Sequence, residues 1–332
     1  DEVKFETTNI KAGGNLKLES ANDLTVQGSK LSAGQDLKVE STGGSVDLQV
    51  VKNTETATNV PVAQGLAAAS AQSKALGGIF SRMLGRNKPS SDPQTKRIDI
   101  RREEEQGVQL QSGGNTQVQA AQELNAKDLK VQAAQEVKLQ SGQAMQLQAG
   151  HIMGKDVVVQ ADGQLKAQNL SVQGQSSVNI QAASAQLESS WLQSEGDLKL
   201  KTTQGDLTLQ NTDAQVAGNA NVQSAGALKL LAAEQKTATT TSYATSDVNA
   251  GGNLTLQSTQ DLTAQGSRLS AGQDLKVEST GGSVNLQALR NTQDTVVNTT
   301  QERKVFGMTL KTSQSTSIHQ EDVQGVELTS GG

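Results

Sequence analysis

Cysteine is absent from the 332-residue chain, and aromatic residues and proline are scarce. Without thiols, the chain can form no disulfide and has no thiolate nucleophile or metal ligand. Three Phe, one Tyr and one Trp make up only 2% of the residues, whereas a compact globule fills its core with rings that each bury about 150–250 Å². Three prolines exclude a proline-rich linker. The composition therefore predicts a repetitive β architecture with a thin aliphatic core.

Charge and hydropathy argue against a disordered, a nucleic-acid-binding or a membrane-spanning protein. Charged residues make up 19% and the net charge is -5, so self-repulsion does not disorder the chain. The acidic balance and the few aromatic residues disfavour nucleic-acid binding. No apolar run approaches the roughly 20 residues that span a bilayer. The chain starts Asp1-Glu2-Val3-Lys4 without a signal peptide and stops at Gly331-Gly332, and we expect both ends to be truncations of a longer repeat array.

Two blocks of the chain repeat each other without a gap. Ala12–Gln49 aligns with Ala250–Gln287, and both consist of short units in which apolar and polar residues alternate. A period of two is typical of a strand with one buried face, and Gly, Asn, Asp and Ser between the units suit turns. Strict alternation in register also argues against disorder, the main competing interpretation of so polar a sequence.

A longer period of about 20–21 residues organises the chain between the two blocks. With three short strands per period, it predicts a parallel β-helix of roughly ten or eleven turns in which equivalent strands stack about 4.8 Å apart. The three series of inward residues are Thr116, Val137, Val157, Val178, Leu198; then Leu124, Met145, Leu165, Leu187, Leu207, Leu228; and Leu129, Leu170, Leu192, with Gly150 or Ile152 at the missing step.

The repeat is interrupted three times. We predict one β-helix over residues 1–332 with excursions at Val50–Gln106, Leu231–Val248 and Ala288–Gln324. Thr- and Val-rich stretches favour protruding strands, and an Ala-rich stretch favours a short helix. The stretches are Thr237–Ser246 and Thr292–Thr300 for the strands and Gln64–Leu76 for the helix.

The first excursion also carries apolar residues beside a basic tract. This combination can lie on an anionic membrane surface. The simpler interpretation, which we favour, is a solvated loop folded back over the solenoid. The candidate membrane or partner contacts are Phe80, Arg82, Met83, Leu84, Arg86, Lys88, Lys96, Arg97, Arg101 and Arg102.

Chemistry-bearing residues are sparse. The aspartates that precede strands, such as Asp23 and Asp261, are predicted to be turn residues bonded to their own backbone. Trp191 is predicted to face outward or to cap a widened coil, and one Trp is weak evidence for a sugar site. His151 is predicted to be a turn residue, and a metal site at His319 is disfavoured. We therefore predict no catalytic, cofactor or metal site and no small-molecule substrate.

The repeat block itself carries a resemblance. The motif AGGNLxLxSxxDLTxxGSxLSAGxDLxVxSxGGSVxLQ, followed by a Thr/Ser-rich excursion, resembles the haemagglutinin repeats of filamentous haemagglutinin and of CdiA effectors of contact-dependent growth inhibition. The interruptions resemble the second repeat region of CdiA. The uninterrupted Val108–Leu230 stretch departs from that pattern, so a plain adhesin shaft stays an alternative.

This resemblance implies a right-handed parallel β-helix in a large, non-enzymatic exoprotein at the surface of a Gram-negative bacterium. It implies export through an outer-membrane two-partner secretion transporter. For CdiA-type proteins, it further implies retention inside the producer until contact, followed by association with the outer membrane or a surface receptor of the target cell and delivery of a toxin. The alternative is a passive adhesin shaft that extends a binding tip.

Overall fold

The computed structural model describes residues 2–3, 7–61, 97–305 and 308–332. These residues form thirty-three β-strands and no helix. The helix predicted over Gln64–Leu76 lies outside the described residues. The chain divides into two compact units, residues 1–7 with 50–106 and residues 8–49 with 107–332.

The strands are numbered in chain order. They are β1 Glu2–Val3, β2 Asn9–Ala12, β3 Leu16–Ser20, β4 Leu24–Gln27, β5 Lys30–Ala33, β6 Leu37–Ser41, β7 Val46–Gln49, β8 Val51–Pro61, β9 Arg97–Gln106, β10 Gln109–Ser112, β11 Thr116–Ala120, β12 Leu124–Ala133, β13 Glu136–Ser141, β14 Met145–Ala161, β15 Gln164–Ala182, β16 Ser184–Glu188 and β17 Trp191–Ser194. The remainder are β18 Asp197–Thr202, β19 Leu207–Gln210, β20 Asp213–Val216, β21 Ala220–Ser224, β22 Leu228–Leu231, β23 Ala233–Lys236, β24 Thr240–Ala244, β25 Val248–Ala250, β26 Leu254–Ser258, β27 Leu262–Gln265, β28 Arg268–Ala271, β29 Leu275–Ser279, β30 Val284–Gln287, β31 Leu289–Val305, β32 Met308–Gln324 and β33 Glu327–Ser330.

The smaller unit is an antiparallel ribbon. Strand β8 pairs with β9 from Val51 opposite Gln106 to Pro61 opposite Arg97, with a register shift between Ala57 and Val60. The short strand β1 pairs with the other edge of β8.

The larger unit is a parallel β-solenoid of about 11 turns, which confirms the predicted fold class. Each coil contributes one strand segment to each of three faces, and every segment pairs in parallel with its equivalents in the neighbouring coils. We name the faces by their strands: the first contains β3, β6, β11 and β13; the second contains β4, β7, β16 and β19; and the third contains β2, β5, β10 and β17. In β14 and β15, one long strand continues around all three faces.

The core is a stack of aliphatic side chains, as the missing aromatic residues suggest. Inward Leu, Val, Ile and Ala alternate with outward residues, and Leu124, Leu139 and Leu187 are completely buried. The first predicted series is confirmed, because Thr116, Val137, Val157, Val178 and Leu198 stack in successive coils.

The other two series are partly wrong. Ala185, and not Leu187, stacks between Leu165 and Leu207. Gly150 fills the step between Leu129 and Leu170, whereas Leu192 belongs to the adjacent column with Val172. Because both residues i and i+2 of a strand point inward, spacing alone does not decide which of them occupies a column.

The corner between the second and third faces has a distinctive backbone geometry. Successive coils turn there on a residue with left-handed backbone geometry: Gly28, Asp128, Ala149, Asn169, Ser189, Asn211 and Gly266 have φ between 48° and 57°. The three excursions leave the solenoid at this same corner, after β7, β22 and β30. One left-handed residue and an inserted hairpin are therefore alternative ways of making the same turn.

The left-handed corner predicts a stabilising substitution. Ala149 has a φ of 49°, which costs an L-residue about 1–2 kcal/mol, whereas glycine adopts it freely. We expect Ala149→Gly to raise the free energy of unfolding by roughly 1 kcal/mol in urea denaturation. The matched control is Ala161→Gly, at a buried inward position of β14, which should lower stability; a loss from both would contradict the strain at Ala149.

Candidate interaction surface

The solenoid corners use aspartate and asparagine as links between coils. Asp23 Oδ1 accepts a hydrogen bond from the amide of Ser45, 2.8 Å away in the next coil, and Asp261 Oδ1 does the same with Ser283. A longer chain of links runs from Asp197 through Asn219 and Asn253 to the amide of Asp274. The prediction that these aspartates bond their own backbone was wrong, because the stacked coil brings a free amide directly above each side chain.

Outward positions of the first and second faces carry rows of glutamine. Neighbouring coils join their amides, as in Gln27 to Gln49 at 2.7 Å and Gln265 to Gln287 at 3.0 Å. Sequence reasoning noted the abundant glutamine but missed these ladders, which need the stacking register. Their amides present uncharged polar groups at these positions.

A mixed row runs along the third face. Lys130, His151, Ser171, Trp191 and Asp213 occupy equivalent outward positions in successive coils. His151 lies inside β14 and its Nδ1 is 3.2 Å from Ser171 Oγ, so the predicted turn position was wrong: the turn is made by Ala149. Trp191 faces outward and is 36% exposed.

Two features of the third face could hold a ligand in principle. A shallow groove of about 370 Å³ is lined by Lys30, Gln111, Lys130 and His151, among others. Asp213 and Asp247 are stacked carboxylates, and burial raises the pKa of Asp213. Each carboxylate already accepts an amide hydrogen bond from the next coil, at 3.3 Å for Asp213 and 2.9 Å for Asp247. The arrangement is that of corner links.

The second and third excursions form one sheet. Strands β23, β24, β31 and β32 are antiparallel and lie in that order. The predicted protruding strands are confirmed, and β31 and β32 are 17 residues each. Their side chains are exposed on both faces of the ribbon, including Val296, Val297 and Ile318.

A charged cluster lies in this sheet at the base of the β31–β32 ribbon. His319 Nδ1 is 2.6 Å from Asp294 Oδ1, and its Nε2 is 3.2 Å from Glu321 Oε1. Glu321 also pairs with Arg290 at 3.1 Å. The hydrogen bond to Asp294, followed by that to Glu321, raises the pKa of His319, while His319 lowers the pKa of Glu321.

This cluster predicts a pH window for the ribbon. The raised pKa of His319 gives stabilisation that is complete below the unfolded value of about 6.5 and is lost as pH rises through the folded pKa. The lowered pKa of Glu321 gives stabilisation that is lost as pH falls through its folded pKa. We expect the ribbon to be most protected from amide exchange at pH values between the folded pKa of Glu321 and the folded pKa of His319. Asp294→Asn should return the His319 pKa toward its ordinary value in an NMR titration; an unchanged pKa would contradict the pairing.

The predicted basic contacts are only partly described. Arg97, Arg101 and Arg102 lie on β9, whereas Phe80, Arg82, Met83, Leu84, Arg86, Lys88 and Lys96 lie outside the described residues. Their role stays a prediction.

Neither a metal-binding cluster nor a membrane-spanning helix occurs in the described parts of the chain. No group of three or more His, Asp or Glu side chains there is arranged to hold a metal ion, since the carboxylates at His319 contact different nitrogens of its ring. No α-helix capable of spanning a bilayer occurs among the described residues.

Comparison with protein families identifies the repeats. A family model described as hemagglutinin repeat matches residues 1–133, 170–245 and 235–329. A second model, described as haemagglutinin repeat, matches residues 104–175. Neither curated proteins nor solved structures gave a match.

Proposed function

The chain belongs to the haemagglutinin-repeat family, and from that membership we propose that it is a non-enzymatic segment of a large secreted filamentous exoprotein. Proteins with these repeats are typically secreted or exposed at the cell surface. In this proposal the solenoid is the shaft, and the excursions are the elements that contact other surfaces.

The observation that carries the proposal is the continuous parallel stacking of the coils. About 11 turns share one aliphatic core. Strand pairing joins each coil to the next, and corner links and glutamine ladders add further bonds between several of them. In such a stack the strand pairing continues from coil to coil, and the outward side chains are mostly polar. Each coil contacts only its neighbours, so folding can propagate coil by coil.

Export by a two-partner secretion transporter of the outer membrane fits this chain. A threaded polypeptide must be extended, and a disulfide would close a loop that cannot be threaded; the chain has no cysteine. Coil-by-coil folding outside the cell would then prevent the emerging chain from sliding back.

The finer proposal is a role in contact-dependent growth inhibition. Here the first excursion associates with the outer membrane of a target cell and assists toxin delivery. Support comes from the sequence of residues 79–102, where aliphatic and aromatic residues adjoin seven Lys and Arg, a combination that suits an anionic membrane surface. The alternative function is a passive adhesin shaft, which predicts no membrane contact.

Vesicle flotation separates the two functions. Pro61 and Arg97 are paired across β8 and β9, so residues 62–96 can be replaced by Asn-Gly, the preferred two-residue hairpin turn. The membrane role predicts that the intact chain floats with Gram-negative outer-membrane vesicles and that the shortened chain stays at the bottom.

A charge-matched pair of variants controls for composition. Arg82, Arg86, Lys88 and Lys96 are changed to Gln in one variant, and the outward solenoid residues Lys17, Lys38, Lys138 and Lys199 in the other. The membrane role predicts loss of flotation from the first variant alone. Equal flotation of all variants, or of none, would favour the passive shaft.

A further inference from the structure

Among the described strands, β32 has a long edge that pairs with no other strand. It pairs with β31 along its whole length on one side, and it is the last strand of its sheet on the other. Native edges are usually blunted by proline, by inward charges or by a covering element. The stretch Thr312–Ile318 contains neither a charged residue nor proline, and its side chains are exposed.

The β31–β32 ribbon also has little side-chain packing on either face. Both of its faces are exposed to solvent, including Val297 and Ile318 on one face and Val296 on the other. A two-stranded ribbon is at best marginally stable in water, and three or more strands with a covered face are needed for stability. Adding strands to the free edge would complete the sheet.

The other edge of the ribbon is already engaged at its base. There β31 pairs with β24, with Thr240 opposite Gln293 and Thr241 opposite Thr292, and the amide of Asp294 donates to Thr239 O at 2.7 Å. Any strand approaching β31 from that side would meet the β23–β24 hairpin, whereas β32 is open.

We propose that β32 pairs antiparallel with β32 of a second copy of this chain, about a two-fold axis at Thr316. In this register, Lys311 lies opposite Glu321 of the partner copy, and the uncharged residues Thr312–Ile318 lie between them, with His319 opposite Ser313. Antiparallel pairing about a two-fold axis makes an isologous interface, in which each copy offers the same patch.

Charge complementarity selects this occupant and this register. Lys311 already pairs with Glu302 across the ribbon at 2.6 Å, and Glu321 pairs with Arg290 at 3.1 Å. With the second copy in place, directly opposed residues on three strands alternate in sign from Glu302 through Lys311 to the partner copy's Glu321. Arg290 of that copy reaches Glu321 diagonally from the fourth strand, two residues from the directly opposed Thr292. Opposite charges on directly paired residues favour a register, and like charges disfavour it.

The same register gathers the exposed aliphatic residues. Thr316 meets its own equivalent at the axis, so Val297 and Ile318 of both copies come to one face of a four-stranded sheet. In the assembled exoprotein, this pairing would join two filaments side by side through their excursions.

Disulfide crosslinking tests the register, because the chain has no cysteine of its own. Thr316→Cys should crosslink to its equivalent under copper-phenanthroline and air, which take up the two electrons and two protons of the thiol pair. Directly opposed residues fall within the Cα separation of about 4.4–6.8 Å that a disulfide needs. The controls are Thr312→Cys, on the same strand but opposite Gln320, and Thr299→Cys on β31.

Sedimentation equilibrium of the 332-residue chain tests the association. In the proposed register, position 315 faces position 317 of the partner copy. Ser315→Lys with Ser317→Lys should therefore abolish the dimer, while Ser315→Lys with Ser317→Glu should retain it. Both variants change the same two positions of the strand, and far-UV circular dichroism checks that each is folded.

The expected result is a dimer that crosslinks at least about tenfold faster through position 316 than through either control, since only position 316 meets the distance requirement. A monomer at all concentrations would overturn the proposal. So would a dimer with equal crosslinking in all three cysteine variants and no response to the lysine pair, because association would then use another surface, such as the exposed Leu286 and Leu328 of the terminal coil.

Discussion

Leu139→Ala is expected to lower the free energy of unfolding of the solenoid by about 2–5 kcal/mol. Leu139 is completely buried and stacks between Val118 and Val159 in the adjacent coils. Truncation removes contacts with both neighbours, and the flanking backbone cannot collapse into the gap because it is fixed at the strand spacing. Urea denaturation followed by far-UV circular dichroism measures the change.

The matched control is the preceding residue of the same strand. Lys138 points outward, and Lys138→Ala should change stability by no more than about 0.5 kcal/mol. Because a solenoid is stabilised by nearest-neighbour contacts, Leu139→Ala should also open the array locally, with new protease sites near β13. Equal effects of the two substitutions would contradict the inward stacking of Leu139.

Gly196→Ala is expected to destabilise the solenoid by roughly 2–3 kcal/mol, at the upper part of the range for overpacking. A Cβ atom at Gly196 would overlap the carbonyl oxygen of Ser176 in the preceding coil. The obstacle is backbone and not a movable side chain, so the coils must separate locally, and this weakens the hydrogen bonds that flank the corner.

Gly13→Ala is the control for this substitution. A Cβ atom at Gly13 has nothing within 4 Å, so the substitution should be neutral or stabilising by up to about 1 kcal/mol through the unfolded state. Thermal unfolding and urea denaturation of both variants measure the difference. A destabilised Gly13→Ala, or an unaffected Gly196→Ala, would contradict the idea that contact between coils sets the effect of a glycine substitution on stability.

Much of the solenoid could be predicted from local patterns. Alternation of period two gives the strand faces, and the period of 20–21 residues gives the coil, because these depend only on which residues are apolar and how they are spaced. The column Thr116–Val137–Val157–Val178–Leu198 follows directly from them. The β31–β32 ribbon follows from its Thr- and Val-rich composition.

The tertiary structure decided what depends on contacts between coils. Whether Ala185 or Leu187 enters a column, and where Leu192 belongs, are decided by the corner geometry. The partners of Asp23 and the glutamine ladders are amides and side chains about 20 residues away, brought together only by stacking. The charge cluster around His319 likewise needs the register of two strands, since Asp294 and His319 are 25 residues apart.

The parallel repeat, its aliphatic core and the places where excursions interrupt it follow from local sequence, because hydrophobic periodicity is a property of neighbouring residues. Three features emerge only from the fold: all three excursions leave at one left-handed corner, two of them share a sheet, and β32 is the free edge of that sheet among the described strands. These features depend on register between distant segments, and register is fixed by stacked backbones and not by composition.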